Sequence, residues 1–333
     1  MNIIRLVFFA GVIALACGAE TADNSLADAV LRGADACLEI FVHDECGDPV
    51  PNARVEYAFW LVDRKRTFSV SAKTDSRGLC MARGKCSADV HVSVSCDGYY
   101  ESRIERYMKS FAQGQAVVGG KWQPYGARLP ILLRKQVNPV PLEQHYVHRM
   151  AIVATNVWMG FDMAKEAFVM PYGNGLVSDF EIKFDWNGEV RRKYNGSSLG
   201  IRFPPPSGSY WFKKINESEF KGPFAADTNA VYLSNFSFSE VKVGETWREQ
   251  LFPKENELVV RTRCETDEKG NLKKACYGKI SLLRFGWGDN GRGDLRLENF
   301  RNPKVNDPNL ESGHVVRTMK DIERKMDGLP SVK

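Results

Sequence analysis

Apolar residues alternate with polar ones over short stretches of this chain, and turn-forming residues separate the stretches. In the first half the alternation is clearest at Val90, Val92 and Val94, which have polar residues between them. Period two is typical of a half-buried β-strand, and no long helical period interrupts the series. The pattern predicts a β-sandwich over residues 37–136. Other strand candidates in this half are residues 38–42, 55–61, 67–72, 79–82 and 129–133.

The second half repeats the pattern beyond a stiff, proline-containing link at residues 138–141. Phe180, Ile182 and Phe184 mark one strand face, with Leu176 and Trp186 at the same spacing. Asp179, Glu181, Lys183 and Asp185 mark the other face, which we expect to be wet. We predict a second antiparallel β-sandwich over residues 137–312, so the chain is all-β with two domains. Its other strand candidates are residues 199–203, 210–213, 231–234, 258–264 and 276–285.

Three turn motifs in the first half occur in a recognisable order. GDPVPNARV spans residues 47–55, TDSRG spans residues 74–78, and Gly98-Tyr99 follows the alternating valine strand. This ordered set resembles a carboxypeptidase regulatory-like domain, the transthyretin-like Greek-key sandwich. The resemblance implies an accessory role and brings no catalytic residue with it. In the second turn, Gly78 supplies a position able to take positive φ, and Thr74 and Asp75 offer acceptors for the turn amides.

The second half also has a resemblance. Its PYGNG turn at residues 171–175, its strand Arg261-Thr262-Arg263 and its YGKI at residues 277–280 are similar to the C-terminal parts of exported bacterial proteins. Those proteins also contain the regulatory-like domain. The resemblance implies a two-domain exported protein and no particular mechanism.

The first nineteen residues have the pattern of a secretory signal. Arg5 precedes an apolar run over residues 6–16, and small residues follow it, so residues 1–19 are predicted to be removed and residues 20–36 to form a linker. Cys17 lies in a sequence similar to a lipobox, which would make it a lipidated first residue. Plain cleavage after Ala16 or Ala19 is the alternative. Either route predicts export to the periplasm, the outer membrane surface or the medium, with Cys17 as the only membrane attachment.

Cysteines in an exported chain are expected to form disulfides. Cys264 and Cys276 are equidistant from Gly270 in a strand–turn–strand segment, so a symmetric hairpin would place them opposite each other and within bridging reach. Pairing among the N-terminal cysteines stays open, with Cys96 as a candidate for a buried free thiol because it continues the valine alternation. That group is Cys37, Cys46, Cys80, Cys86 and Cys96.

Searches for complete catalytic or metal motifs give no candidate residues. The five histidines begin no His-x-x-Glu pair, and His145 with His148 lacks a third zinc ligand. Residues 196–200 match GxSxG, but the prolines after them forbid the helix that a nucleophile elbow needs. We therefore predict no catalytic residue, metal or cofactor. The net charge of +5 is scattered along the chain, which argues against nucleic acid as a partner.

Aromatic residues provide the remaining candidate. Tyr210, Trp211 and Phe212 are consecutive, so at least one of these rings would point away from the core if the segment is a strand covered on one face. Trp211 is the predicted ligand-contacting aromatic, although a ring covered by neighbouring structure is the alternative.

Residues 313–333 form a predicted charged helical tail, because Val315, Met319, Ile322 and Met326 follow helical spacing.

These observations together predict an exported, non-enzymatic binding or assembly module of the cell envelope with a protein or glycan partner. A carbohydrate-binding accessory protein is one alternative. The other is a hydrolase whose paired carboxylates leave no local motif.

Overall fold

The computed structural model describes residues 26–62, 68–189, 193–243, 245–287 and 293–317. It divides into two compact units. Unit 1 comprises the chain up to Gln136 together with Asn216–Phe220, and unit 2 comprises Val137–Ile215 together with the chain from Lys221 onwards. The protein is all-β, as predicted. Short helical turns occur at residues 26–32 and at Met108–Phe111.

Unit 1 is a β-sandwich. One sheet has the order β10-β1-β9-β8, with β4 also paired to β1, and the other has the order β3-β2-β5-β7. Pairing is antiparallel except where β1 meets β9 and β10 in parallel. Its strands are β1 (Ala34–His43), β2 (Arg54–Phe59), β3 (Phe68–Lys73), β4 (Leu79–Cys86), β5 (Asp89–Ser95), β6 (Tyr99–Tyr100), β7 (Ser102–Tyr107), β8 (Val117–Val118), β9 (Lys121–Trp122), β10 (Ala127–Leu132) and β11 (Arg134–Lys135).

The core of unit 1 lies between these two sheets. Val90, Val92 and Val94 are buried, as their alternation predicts, and they pack in one cluster with Ile40 of β1 and Ile131 of β10. Burying each of these side chains contributes about 1.5–3 kcal/mol relative to exposure. β1 begins at Ala34, so the predicted linker over residues 20–36 is wrong where the structure describes it, because residues 26–32 are helical and the strand follows at once.

The TDSRG turn joins two of the sequence motifs in unit 1. Asp75 accepts hydrogen bonds from the amides of Arg77 and Leu79, as predicted. Thr74 does something else: its buried hydroxyl donates to the Val50 carbonyl at 2.8 Å and accepts from the Ala53 amide at 2.9 Å. Gly78 has φ +70°, and a Cβ there would collide with the Val42 carbonyl oxygen. The first two turn motifs are therefore one hydrogen-bonded assembly.

Unit 2 is also a β-sandwich. Its sheets have the orders β17-β20-β21-β22-β12-β23 and β14-β13-β15-β16-β18-β19, antiparallel except for β12 with β23. The strands are β12 (Val140–Ala151), β13 (Trp158–Asp162), β14 (Ala167–Phe168), β15 (Phe180–Glu189), β16 (Lys193–Arg202), β17 (Gly208–Lys213), β18 (Asn235–Val243), β19 (Thr246–Gln250), β20 (Asn256–Thr266), β21 (Leu272–Trp287), β22 (Gly293–Arg301) and β23 (Ser312–Arg317).

Phe180, Ile182 and Phe184 lie fully buried between the sheets of unit 2, as predicted for β15. Leu176, predicted to lie on the same face, precedes the strand and is exposed. Two predicted elements are wrong. Residues 231–234 form no strand, although Leu233 makes an isolated bridge to Ser209. Residues 313–317 extend β23 along β12 instead of starting the predicted helical tail, since Val315 and Val316 are β-branched and find a strand partner. The rest of that tail lies outside the described residues.

Candidate functional site

Charged side chains meet at one end of the unit 2 interior, between its two sheets. Arg263 of β20 donates to both carboxylate oxygens of Asp179, each at 2.8 Å, and to Asp162 at 2.9 Å. Both aspartate side chains are almost completely buried. Asp179 was predicted to lie on the wet face of β15. It is buried instead because it precedes the strand and pairs with Arg263 from the opposite sheet.

Every carboxylate oxygen in this buried cluster has a partner. Asp162 accepts from the amides of Leu176 and Val177 on one oxygen and from Ala164 and Lys165 on the other. Burial would raise the pKa of Asp162, but these backbone N–H groups and the Arg263 guanidinium outweigh it, so the pKa is lowered. The cluster is thus a buried ion-pair network that joins the two sheets and in which every carboxylate oxygen accepts a hydrogen bond.

A second ionic cluster surrounds His145 on β12. Its Nδ1 lies 3.3 Å from Glu166, and its Nε2 lies 3.6 Å from Glu143, which also accepts from Arg301. The carboxylates approach opposite ring nitrogens, so the three side chains do not converge on one point where a metal could bind. His148 is exposed while His145 is buried, so the two histidines do not share a site.

The pKa values in this cluster shift in opposite directions. Burial opposes charge on His145, but Glu143 and Glu166 outweigh it and raise the pKa of His145. His145 and, against the effect of burial, Arg301 lower the pKa of Glu143 to about 2. The cluster therefore favours a protonated imidazole between two ionised carboxylates.

The predicted pairing of Cys264 with Cys276 is wrong in register. Cys276 pairs with Thr262, because a bulge between Thr262 and Glu265 adds a residue where Arg263 has φ 51°. Cys264 packs in an outer apolar cluster with Ala275 and Tyr277, whereas Cys276 alternates with those two residues and points to the other face. All described cysteines are free thiols, the N-terminal candidates included, and Cys96, predicted to be buried, is only half-buried. Burial raises the pKa of both Cys264 and Cys276.

Trp211 does not form an exposed platform. Its ring lies edge-on to three phenylalanine rings, with centroids 5.6 Å from Phe236, 6.4 Å from Phe238 and 5.1 Å from Phe252. It packs against the unit 2 core and is only partly accessible. The covered-ring alternative is the correct one, because β18 and the Phe252 loop supply rings that the strand pattern of residues 210–213 does not reveal.

Trp158 is the tryptophan that a described strand places on an open sheet surface; Tyr107 of β7 and Tyr146 of β12 are also exposed aromatic residues on strands. It is 36% exposed on β13, opposite Lys183 of β15, which in turn faces Gly200 of β16. The Arg202 guanidinium lies 4.5 Å from the centre of its ring. We call this surface the Trp158 face, and its residues are Trp158, Glu181, Lys183, Asp185, Gly200 and Arg202.

The charges of the Trp158 face are paired within it. Arg202 donates to Glu181 at 2.5 Å, and Lys183 lies 3.3 Å from Asp185. Two basic and two acidic groups make the face electrically neutral while leaving part of each group accessible to solvent. Sequence analysis missed Trp158 because its neighbours Val157 and Met159 are also apolar, so the sequence does not show which of these side chains is exposed.

Unit 1 presents a shallow depression of about 290 Å³ on the outer face of its β3-β2-β5-β7 sheet. The small side chain of Ala58 lies in register with Ser69 and His91, so a low point forms among longer neighbours. His91 lies 3.9 Å from Glu105, and Arg103 donates to Glu101 at 2.8 Å. The depression is open and lined mainly by apolar atoms, and its charged groups are already paired.

The remaining residues singled out from the sequence do not form a site among the described residues. Ser198 of the GxSxG match lies within β16, so no strand-to-helix elbow exists there. Cys17 and residues 1–19 lie outside the described residues. Within the described ranges, no helix has the length and apolar character needed to cross a membrane.

No protein-family model and no curated protein matches the chain. Partial similarity exists to solved structures. The 3-chlorocatechol 1,2-dioxygenase of Rhodococcus opacus 1CP is 11% identical over 31% of this chain and 60% of that chain, with a TM-score of 0.26. BcpA, the major pilin subunit of Bacillus cereus, is 10% identical over 85% of this chain and 98% of that chain, with a TM-score of 0.21.

A third similar structure is the shaft pilin SpaA of Lactobacillus rhamnosus GG. It is 8% identical over 68% of this chain and 86% of that chain, with a TM-score of 0.22. TM-scores this low do not establish a common fold.

Proposed function

We propose that this protein is an exported, non-enzymatic binding module of the cell envelope that contacts its ligand through an open sheet surface. The observation that carries the proposal is the contrast within unit 2. The ionised groups inside the sandwich are occupied by one another, as Arg263 is by Asp162 and Asp179. The Trp158 face leaves an aromatic ring and polar groups available to a partner.

Export rests on the N-terminal sequence, in which Arg5 precedes an apolar run and small residues. Lipid attachment at Cys17 would hold the module at a membrane surface, and plain cleavage would release it into the periplasm or the medium. Both routes take the protein out of the cytoplasm.

Unit 1 fits the role of a regulatory-like accessory domain. Its first two turn motifs form one assembly through Thr74, and Gly98 of the third motif has φ +78°. These contacts explain why the motif residues have these identities, which supports the resemblance on physical grounds. In this proposal unit 1 contributes no catalytic group.

Export and anchoring can be measured together. The full chain is produced in a Gram-negative host with radioactive palmitate, fractionated, and sequenced at its new N-terminus, alongside Cys17→Ala. We expect a processed protein outside the cytoplasm. Label on the wild type but not on Cys17→Ala shows anchoring, whereas an unlabelled, processed chain shows free secretion. An unprocessed cytoplasmic protein contradicts the proposal.

A further inference from the structure

We propose that the Trp158 face binds an uncharged glycan, with a sugar ring packing on the part of the Trp158 ring that Arg202 and the sheet leave exposed. This inference rests on the proposed role of the protein as an exported binding module and names the class of its ligand. It is carried by the position of the ring, by the polar groups around it and by the charge balance of the face.

The ring is held in place by the sheet beneath it. Trp158 lies across its neighbours toward β16, where a Cβ on Gly200 would come within 3.0 Å of its Cη2 atom. Gly200 therefore gives the ring room to approach the backbone closely. On the other side, Arg202 is fixed by Glu181 and lies against the ring. An aromatic ring on a strand loses little conformational freedom when a ligand binds. This favours ligands that bind weakly to a shallow surface, such as sugars.

The surrounding side chains suit hydroxyl groups. A pyranose has apolar C–H faces, which pack on an aromatic ring, and a rim of hydroxyls that both donate and accept. Glu181 and Asp185 accept hydrogen bonds, while Lys183 and Arg202 donate them. Asn235 and Ser237 are exposed on the adjoining strand β18, opposite Arg202 and Gly200. The face therefore offers both kinds of partner around one ring.

The charge balance selects among glycans. The four charged residues of the face sum to zero, so the face has no excess positive charge to attract a polyanion such as nucleic acid or an acidic polysaccharide. An uncharged ligand leaves both ion pairs intact and adds hydrogen bonds to their free lone pairs and protons. We therefore expect neutral hexose chains to bind better than sulfated or uronic acid chains.

The test is a glycan array that carries neutral and acidic oligosaccharides, followed by calorimetric titration of the bound glycans with the processed full chain. Trp158→Ala is the test variant and Trp211→Phe is the matched control, because Trp211 is packed among other rings. We expect neutral glycans to bind the wild type and the control equally. Loss of the central ring is expected to weaken binding by at least about tenfold.

Trp158→Phe covers the case in which Trp158→Ala fails to fold, since it keeps a smaller platform and should bind more weakly than the wild type while melting at the same temperature. The inference is overturned if the wild type binds no glycan, binds only acidic ones, or binds neutral glycans undiminished by the Trp158 substitutions. If the chain is exported but binds no glycan, only this inference is overturned. If the chain is retained in the cytoplasm, the proposed function is overturned whatever the glycan array shows.

Discussion

Two regions of unit 2 each pair an arginine with a carboxylate, one inside the sandwich and one on its surface. Inside the sandwich, Arg263, whose side chain is 21% exposed, binds the fully buried Asp179 through two hydrogen bonds. On the outer surface, Arg202 binds Glu181 beside Trp158, and both partners remain accessible. Both arginines bind a carboxylate, but Arg263 lies among buried aspartates and Arg202 lies against an exposed ring.

This difference separates groups that hold the fold from groups that can meet a ligand. A buried ion pair is costly to break because the remaining partner is left charged and unsolvated, whereas an exposed pair is replaced by water at little cost. The interior cluster is therefore committed to stability. The exposed pair can exchange its solvent contacts for contacts with another molecule.

The largest expected effect is at Asp179. Asp179→Ala leaves the largely buried Arg263 guanidinium without two of its three hydrogen bonds, so we expect the unfolding free energy to fall by about 3–5 kcal/mol. The matched variant Glu181→Ala removes the exposed partner of Arg202 and should change it by no more than about 1 kcal/mol. Urea unfolding followed by circular dichroism measures both. Equal losses would remove the distinction between the regions.

The two tryptophans make the same comparison with aromatic rings. Trp211→Ala empties the space among three phenylalanine rings, and we expect a loss of about 3 kcal/mol, at the low end for tryptophan because the ring is only partly covered. Trp158→Ala removes a ring that is 36% exposed and should cost less, about 1 kcal/mol. Thermal melting of both variants provides the measurement, and a larger loss at Trp158 would contradict this assignment.

Unit 1 extends the comparison, because its TDSRG turn is held without buried ions. Gly78→Ala is expected to destabilise by about 1–3 kcal/mol, since it combines positive φ with a collision at the Val42 carbonyl. Gly47 is the matched control: it also has positive φ, +85°, but a Cβ there meets nothing within 4 Å. Gly47→Ala should cost less. Denaturant midpoints that do not differ would show that the collision is absent.

The smallest expected effect is the pH response of the His145 cluster. Because the pKa of His145 is raised, its contribution is complete below the ordinary value of 6.5 and is lost as pH rises through the higher folded value. Because the pKa of Glu143 is lowered to about 2, its contribution is complete above the ordinary 4.5 and is lost as pH falls toward 2. The cluster thus stabilises most between about pH 4.5 and 6.5.

Melting temperatures measured from pH 3 upwards, for the wild type and His145→Gln, test this window. Glutamine is polar and similar in size to histidine, but it cannot carry the charge. The fall in melting temperature above pH 6.5 should therefore be smaller in the variant. A variant that declines in parallel with the wild type would show that His145 is not the group responsible.

The sequence patterns predicted which faces of the long strands are buried, as at Phe180, Ile182 and Phe184, because period two follows directly from strand geometry. They failed where one residue departs from that geometry. The bulge at Arg263 moves Cys264 to the opposite face from Cys276, and a buried partner from another strand brings Asp179 inside. Neither event leaves a mark in the local sequence.

The candidate site could not be predicted from the sequence for a related reason. Trp211 and Trp158 both lie between apolar neighbours in the sequence, and only the pairing of strands shows which ring is enclosed. Phe236, Phe238 and Phe252 come from segments distant along the chain, and they decide the environment of Trp211. Gly200, likewise distant along the chain, decides that of Trp158.

The central claim is that Trp158 lies open on a ligand-binding surface. Oxidation of the protein with N-bromosuccinimide, read residue by residue by mass spectrometry with and without a saturating neutral glycan, tests it most directly. We predict that Trp158 reacts readily in the free protein and is protected by the glycan, while Trp211 reacts slowly in both. Oxidation of Trp158 that the bound glycan leaves unchanged would contradict the claim.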